Sequence, residues 1–450
     1  MRVLHRWRKG RWVQHPLRLP QLLHPRREHR RFRLSPRQPR QHDDHGRRGT
    51  GPPQQLARRA RRCHPQERTD PELRSDRREH RGDPRGNPHA IPRVHRPEHP
   101  RHLLQVGLNP MGVAPRPGRP REVAPGVHRL STASPSGLTV HLYVLRQGGT
   151  TLLVDAGWTH TTAAVEERLA EIDVRIEDLD GVLLTHSHED HMGGTVVWRD
   201  RLACPVHGWR HTTPLFGNFY EHYDLAERWD AWFDLVLPEG PLRDTVLERR
   251  SLAPRAPLRQ GGDGTIPTAR PVDFGEDLRI GPFHLHYLDG RGHDPFHGGW
   301  WLPDRNLLFT GDVLLRVPTP IMPAMDDDIA LYRQTLDRWQ ALAASPLVLP
   351  GHGPPEPDLG ACIQRSRAWL AEAWTTLEDG LDPVTPFNAA QAALELASRS
   401  GRDLPRKLFT WLTNLDAQLE ELAEMGITRR RPDRHWELLR PLPSYTSLPG

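Results

Sequence analysis

The chain has 450 residues, enough for two or three domains and a sizeable core. Its net charge of +6 is unevenly spread: residues 1–120 hold 29 Arg, one Lys and 10 acids, or +20, which leaves −14 for residues 121–450. The basic balance therefore does not mark the whole chain as nucleic-acid-binding, and three distant cysteines, Cys63, Cys204 and Cys362, point to neither a disulfide scaffold nor a thiolate zinc site.

No run of about 18 apolar residues is present, so no membrane partner is expected. The basic start "MRVLHRWRKGRWVQHPLRLP" lacks the continuous apolar stretch of a secretory signal, and the expected location is cytoplasmic. Residues 1–120 are rich in Arg, His, Pro and Gln, with no sustained period of 2 or 3.6. Such a segment buries too little surface to offset the entropy of ordering it, so it reads as a disordered basic tail. Met111, in "NPMGVAPRPGRPREVAPGVHRL", offers a later start; residues 1–110 would then be GC-rich upstream DNA read as protein rather than native coding sequence.

From Val123 the texture changes. "GVHRLSTA", "LTVHLYVLRQGG" and "TTLLVDAGW" predict short strands joined by Gly-marked turns. "TTAAVEERLAEI" (161–172) has helical spacing at Val165, Leu169 and Ile172. "LDGVLLTH" is an apolar strand, and strands and helices then alternate to "PLVLPGHG" (346–353), which predicts layered α/β sheets over residues 121–355. Residues 238–271 read as a long loop or insertion. From about 356 the pattern is helical: Ile363, Leu370, Trp374, Leu377 and Leu381 share one face. A second helix is predicted in "TNLDAQLEELAEMG", with Thr413 as N-cap and Gly426 as stop, before a two-stranded wing in "ITRRRPDRHWELL". Residues 356–450 thus form a small C-terminal helical, winged-helix-like domain.

The densest chemistry lies in "LLTHSHEDHMGG" (183–194), where His186, His188, Asp190 and His191 fall within six positions. Along extended chain, H-x-H puts two imidazoles on one side, and imidazole with carboxylate suits zinc and similar metals. Gly193 and Gly194 are expected to permit a tight turn. Three later apolar strands each end in a Gly-containing loop with one more donor: His293 in "LDGRGHDPFHGG", Asp312 in "NLLFTGDVLL" and His352 in "LVLPGHGPP". A single strand-end His is commonly structural; four such stretches together predict a metal site at one sheet edge.

On these motifs, in this order, residues 124–355 resemble the metallo-β-lactamase-fold hydrolases. The resemblance implies an αββα sandwich with His186, His188 and His293 on a first divalent ion, Asp190, His191 and His352 on a second, and Asp312 bridging. Zinc is the first expectation, with iron or manganese as alternatives. It also implies that Asp155, in "LLVDAGW", orients ligands. Two ions roughly 3.5–4 Å apart would share a hydroxide that attacks the substrate, with Asp190 orienting it as the catalytic carboxylate.

Asp312, where true β-lactamases often carry Cys, together with "PGHG", resembles the glyoxalase-II-like branch, and favours a thioester, ester or lactone as small-molecule substrate. "GRGHDPFHGG" departs from the family's usual P-G-H-T-P-G-H while keeping the histidine. The C-terminal domain resembles the winged-helix tail of the lactamase-beta-2 type, which makes a metal-dependent ribonuclease or phosphodiesterase the rival, and a non-enzymatic scaffold the third alternative. Residues 401–440 carry eight Lys or Arg against seven acids, so a nucleic-acid partner is not expected. The tail is instead expected to wall the cleft or to mediate association, as in a homodimer. His207, His211, His222 and Tyr223 are assigned structural roles, His284 and His286 to an exposed sheet face, and His297 to a hydrogen bond beside the site.

Overall fold

The computed structural model describes residues 118–133, 138–210, 225–240, 242–244, 266–342, 345–399 and 404–448. It also describes strands β1 (Val3–Arg8) and β2 (Arg11–Pro16), which pair in a two-stranded sheet. Apart from these strands, the stretch expected as a basic tail lies outside the described residues as far as residue 117, Met111 included. From residue 118 onward the described residues belong to one compact unit.

Seven strands form the first sheet in chain order: β3 (Arg121–Ala124), β4 (Val127–Ala133), β5 (Thr139–Gln147), β6 (Thr150–Val154), β7 (Gly181–Leu183), β8 (Val206–Trp209) and β9 (Ala269–Val272). Pairing is antiparallel from β3 to β6 and parallel from β6 to β9. The second sheet runs β10 (Asp277–Ile280), β11 (Phe283–Asp289), β12 (Gly298–Leu302), β13 (Leu307–Gly311) and β14 (Leu347–Pro350), antiparallel except for β13 with β14.

The pleat explains why these strands read as continuous apolar runs: alternate residues serve different cores. On β5, Tyr143 and Leu145 point between the sheets, while Val140, Leu142 and Val144 face the other way. The inter-sheet core also takes Tyr287, Trp300 and Phe309, with Tyr143 edge-on to Phe309 at 5.2 Å between ring centres. On the outer face of the first sheet lie α1 (Thr162–Ala170) and α2 (Glu189–Val197), through Val165, Leu169, Met192 and Val196. The outer face of the second carries α4 (Ile329–Gln340) and α5 (Leu359–Gly380), through Tyr332, Trp339, Leu359 and Ile363. The order helix, sheet, sheet, helix is the expected αββα sandwich.

A fourth core gathers α3 (Leu225–Val236), the end of α5, α6 (Ala389–Arg399) and α7 (Leu404–Glu424) around Trp232, Trp374, Leu394 and Leu415. The short strands β15 (Thr428–Arg430) and β16 (Trp436–Leu438) pair antiparallel, where the wing was predicted. Two expectations fail here. Thr413 lies in the middle of α7, its hydroxyl donating to the Thr410 carbonyl, because Leu408, Trp411 and Leu412 extend the apolar stripe upstream. The insertion ends earlier than 271, since β9 adds to the sheet edge; residues 245–265 lie outside the described residues. Among the described residues no helix is long and apolar enough to cross a membrane.

Candidate metal centre

Parallel neighbours end at the same edge, and there the sequence places its polar loops. Asp155 follows β6, His186 and His188 follow β7, Asp312 follows β13 and His352 follows β14. His293 precedes β12, and Asp190 and His191 occupy the first turn of α2 rather than extended chain. Backbone bonds stitch the loops across both sheets: His141 N–H donates to Gly351 O at 2.7 Å, Gly298 N–H to Thr185 O at 2.8 Å, and Asp155 N–H to Leu183 O at 2.9 Å.

All seven residues singled out in the sequence converge. Donor atoms of His186, His188 and His293 lie within 4.8 Å of one another, as do those of Asp190, His191 and His352, and those of His186, His191 and Asp312. Asp312 stands between the groups: its Oδ2 is 3.7 Å from His293 Nε2 and 3.2 Å from His352 Nε2, and its Oδ1 is 3.4 Å from His191 Nε2. Asp190 Oδ2 lies 3.2 Å from His352 Nε2 and 3.6 Å from His191 Nε2.

Each of several imidazoles is oriented through its other nitrogen, the arrangement that fixes a ligating ring. His191 Nδ1 binds the Asp155 carboxylate at 2.8 Å, His293 Nδ1 donates to Pro320 O at 2.7 Å, and His352 Nδ1 donates to Thr139 O. Their Nε2 atoms are left facing the cluster. Asp155 is buried, left-handed at φ 59°, and also accepts from the backbone N–H and hydroxyl of Thr185. A non-glycine residue in that region is uncommon, and here it turns the carboxylate onto His191.

Sequence reasoning missed Asp294. Its carboxylate accepts from the Ser187 N–H at 2.9 Å and from the Ser187 hydroxyl, which pins the chain between the first two histidines. The H-D pair in "GRGHDPFH" was the only available signal. His297 acts as expected: its Nε2 accepts from the Asp312 N–H at 3.1 Å, and its ring stacks on His186 at 4.5 Å. His207 is buried on β8, away from the cluster, where burial lowers its pKa to about 4. His211, His222 and Tyr223 lie outside the described residues. Gly193 and Gly194 are helical rather than in a turn. A Cβ on Gly194 would sit 2.2 Å from the Ala156 carbonyl oxygen, and one on Gly193 2.7 Å from the Thr159 nitrogen, so both let α2 lie against the loop after Asp155.

The electrostatics call for a cation. Burial alone would raise Asp190, yet His191 and His352 hold it at about 2. Burial likewise opposes ionisation of Asp312, and the same two imidazoles outweigh it. Burial would lower His352, but Asp312 and Asp190 raise it to about 9. His293, with burial dominant, falls to about 4 and keeps a free lone pair. His191 Nε2, His293 Nε2 and Asp312 Oδ1 are buried without a hydrogen-bond partner. Orphaned buried donors and acceptors facing one another are costly, and a divalent ion satisfies them together. The nitrogen and oxygen donor set fits such an ion.

Above the cluster opens a cavity of about 300 Å³. Asp190, Asp312, His188, His293 and His352 line its floor, and its walls are mostly apolar, with Trp158, Leu315, Val317, Met322, Met325 and Phe409 beside the polar Glu189, Asp327 and Thr410. Phe409 comes from α7, so the C-terminal helices close one side. Among the described residues no Lys or Arg lines it.

Residues 135–352 match the family described as the metallo-beta-lactamase superfamily. Two proteins of Bacillus subtilis (strain 168) are similar. The probable metallo-hydrolase YqgX is 30% identical over 182 residues, spanning 38% of this chain and 68% of its own length. The probable metallo-hydrolase YqjP is 27% identical over 307 residues, spanning 65% and 89%. The crystal structure of a metallo-beta-lactamase family protein from Thermus thermophilus aligns with a TM-score of 0.54 at 25% identity, over 70% of this chain and all of that one.

Proposed function

The chain is a hydrolase of the metallo-β-lactamase superfamily, and on that premise we propose that it cleaves an uncharged ester, thioester or lactone bearing an apolar group, with two divalent ions, zinc first, at the seven-residue cluster. The observation that carries this reading is the cavity: an acidic and imidazole floor under mostly apolar walls, with no Lys or Arg among its described lining residues. A phosphodiester or nucleic-acid substrate calls for basic groups that follow the phosphates, so that reading is the weaker one.

In this reading His186, His188 and His293 would hold one ion and Asp190, His191 and His352 the other, with the Asp312 carboxylate available to both groups. When bound, such a pair supplies Lewis acidity, bringing the pKa of water towards neutrality and stabilising charge that develops on a carbonyl oxygen. The chain's own groups do the rest. Trp158 and Phe409 grip the apolar part of the substrate from opposite elements and exclude water. Asp190, on the cavity floor, accepts a hydrogen bond from the attacking water and holds it in line with the carbonyl carbon. Asp155, Asp294 and His297 keep the ligating side chains in place through the hydrogen bonds described above.

The test is elemental analysis of the chain purified without added metal, followed by hydrolysis of matched acyl esters, thioesters, lactones and an RNA oligonucleotide. At least two ions per chain, with turnover that grows with acyl length, is the expected result. No metal uptake even when zinc is offered, or turnover of RNA alone, overturns the reading.

A further inference from the structure

Away from this cavity, the outer face of β11 holds another group of donors. We propose that Asp277, His284 and His286 form a separate site for one zinc ion at the edge of the second sheet. His284 and His286 are two residues apart, so the pleat sends both side chains to one face, while Phe283, Leu285 and Tyr287 fill the inter-sheet core. Asp277 on β10 stands directly opposite His286 in the antiparallel register, where facing side chains are close neighbours. His284 Nε2 is 3.5 Å from Asp277 Oδ2, His286 Nδ1 contacts Asp277 Oδ1, and the two rings are 4.7 Å apart. One donor from each of the three lies within 4.8 Å of the others. A zinc ion with bonds of about 2.0–2.2 Å draws such a triangle together through small side-chain rotations.

Two further features mark a ligand site. His284 Nε2 is buried and has no hydrogen-bond partner, although it faces the Asp277 carboxylate. On the far side of the same ring, Nδ1 faces Asp304 Oδ2 at 4.0 Å. Asp304 is beyond hydrogen-bond distance of the ring, but it places a carboxylate on the side of His284 where the orienting partner of a ligating histidine stands. Two imidazoles with one carboxylate select zinc and its neighbours over magnesium or calcium. The side chains of His284 and His286 are 18% and 27% exposed, so solvent reaches the site and completes the coordination. β10 is an edge strand of its sheet, and an ion held from both strands ties that edge down and blunts its capacity to pair with another chain.

The experiment counts zinc per chain by elemental analysis, after saturation and gel filtration, in the wild type and in His284→Ala/His286→Ala. One ion fewer in the double variant is expected, and one fewer in Asp277→Asn. Asp304→Asn should keep the count at saturation but weaken the affinity of that ion about 10–100-fold. Equal counts in the wild type and the histidine variant overturn the proposal. If the double variant fails to fold, judged by its metal-free unfolding midpoint, Asp277→Asn decides alone, and an unchanged count there overturns it. The reading is a difference of one ion, so it stands or falls separately from occupancy of the seven-residue cluster.

Discussion

Replacing Gly194 with Ala tests whether the close approach of α2 to the loop after Asp155 sets the geometry of the site. Alanine favours a helix over glycine by about 1 kcal/mol, so a helix-only argument predicts a more stable protein. The structure predicts the reverse. The new Cβ would stand 2.2 Å from the Ala156 carbonyl oxygen and 3.0 Å from the Trp198 ring. The oxygen belongs to the backbone and cannot rotate away, so helix and loop must part by about 1 Å to reach ordinary contact. Overpacking of this kind costs about 1–3 kcal/mol, and with the helix gain subtracted the net loss is about 0–2 kcal/mol; a backbone clash as close as this one belongs at the upper end. For a fold of this size a loss of about 2 kcal/mol lowers the unfolding midpoint by roughly 4–8 °C. The same displacement carries Asp190 and His191, one turn or less upstream, and a 1 Å misplacement of reacting groups costs about 100-fold in rate. Thermal unfolding, zinc content and ester hydrolysis of Gly194→Ala are the assays. A raised midpoint with unaltered zinc content and turnover would refute the argument, since α2 would then be free to shift without consequence.

Three other expectations are open to direct test. Asp312→Ala removes the carboxylate shared by both groups of ligands, and should abolish hydrolysis with loss of at least one ion; normal activity with normal metal content sinks the two-ion reading. Phe409→Ala removes an apolar wall of the cavity and should lower kcat/KM for long acyl substrates by about 10–200-fold, the range for lost apolar pocket contacts, while leaving the shortest acetyl ester nearly unaffected; a uniform loss across chain lengths would point to misfolding of α7 instead. Burial opposes a charged His352, but Asp312 and Asp190 raise it to about 9, so without an ion the ring is protonated at neutral pH. Zinc binding must expel that proton, and affinity should therefore rise with pH until about 9; calorimetry in buffers of different ionisation enthalpy reads the release, and zinc affinity that is flat from pH 6.5 to 8.5 contradicts it.

Much of this was legible in the sequence because His186 and His188 come just after an apolar strand, and His293, Asp312 and His352 each adjoin a glycine beside one. A histidine just past the end of an apolar run stands out, as at His186 and His352, although buried strands also hold histidines such as His141 and His207. Residues that act through the backbone leave no such mark. Asp294 works by capturing the Ser187 N–H and hydroxyl 107 residues away, and its one local mark is the histidine before it. Phe409 lies upstream of the helix predicted from Thr413, and only the packing of α7 over the site makes it a cavity wall. The Thr413 expectation failed because a cap-type residue was weighed above the apolar stripe running past it. Gly193 and Gly194 were read for freedom of turn, when their lack of a side chain is what matters.

The stitching of the two sheets also bears on how the protein matures. Tyr143 donates to the Pro350 carbonyl, and His352 to that of Thr139, contacts that span 207 and 213 residues. Contacts so distant along the chain close late in folding. On a ribosome, the first-sheet ligands emerge more than a hundred residues before Asp312 and His352, and until then His186, His188 and His191 form an open, incomplete cage. If the two-ion reading holds, retention of both ions would report that the sandwich has shut, and metal content would measure completed folding in a freshly synthesised preparation.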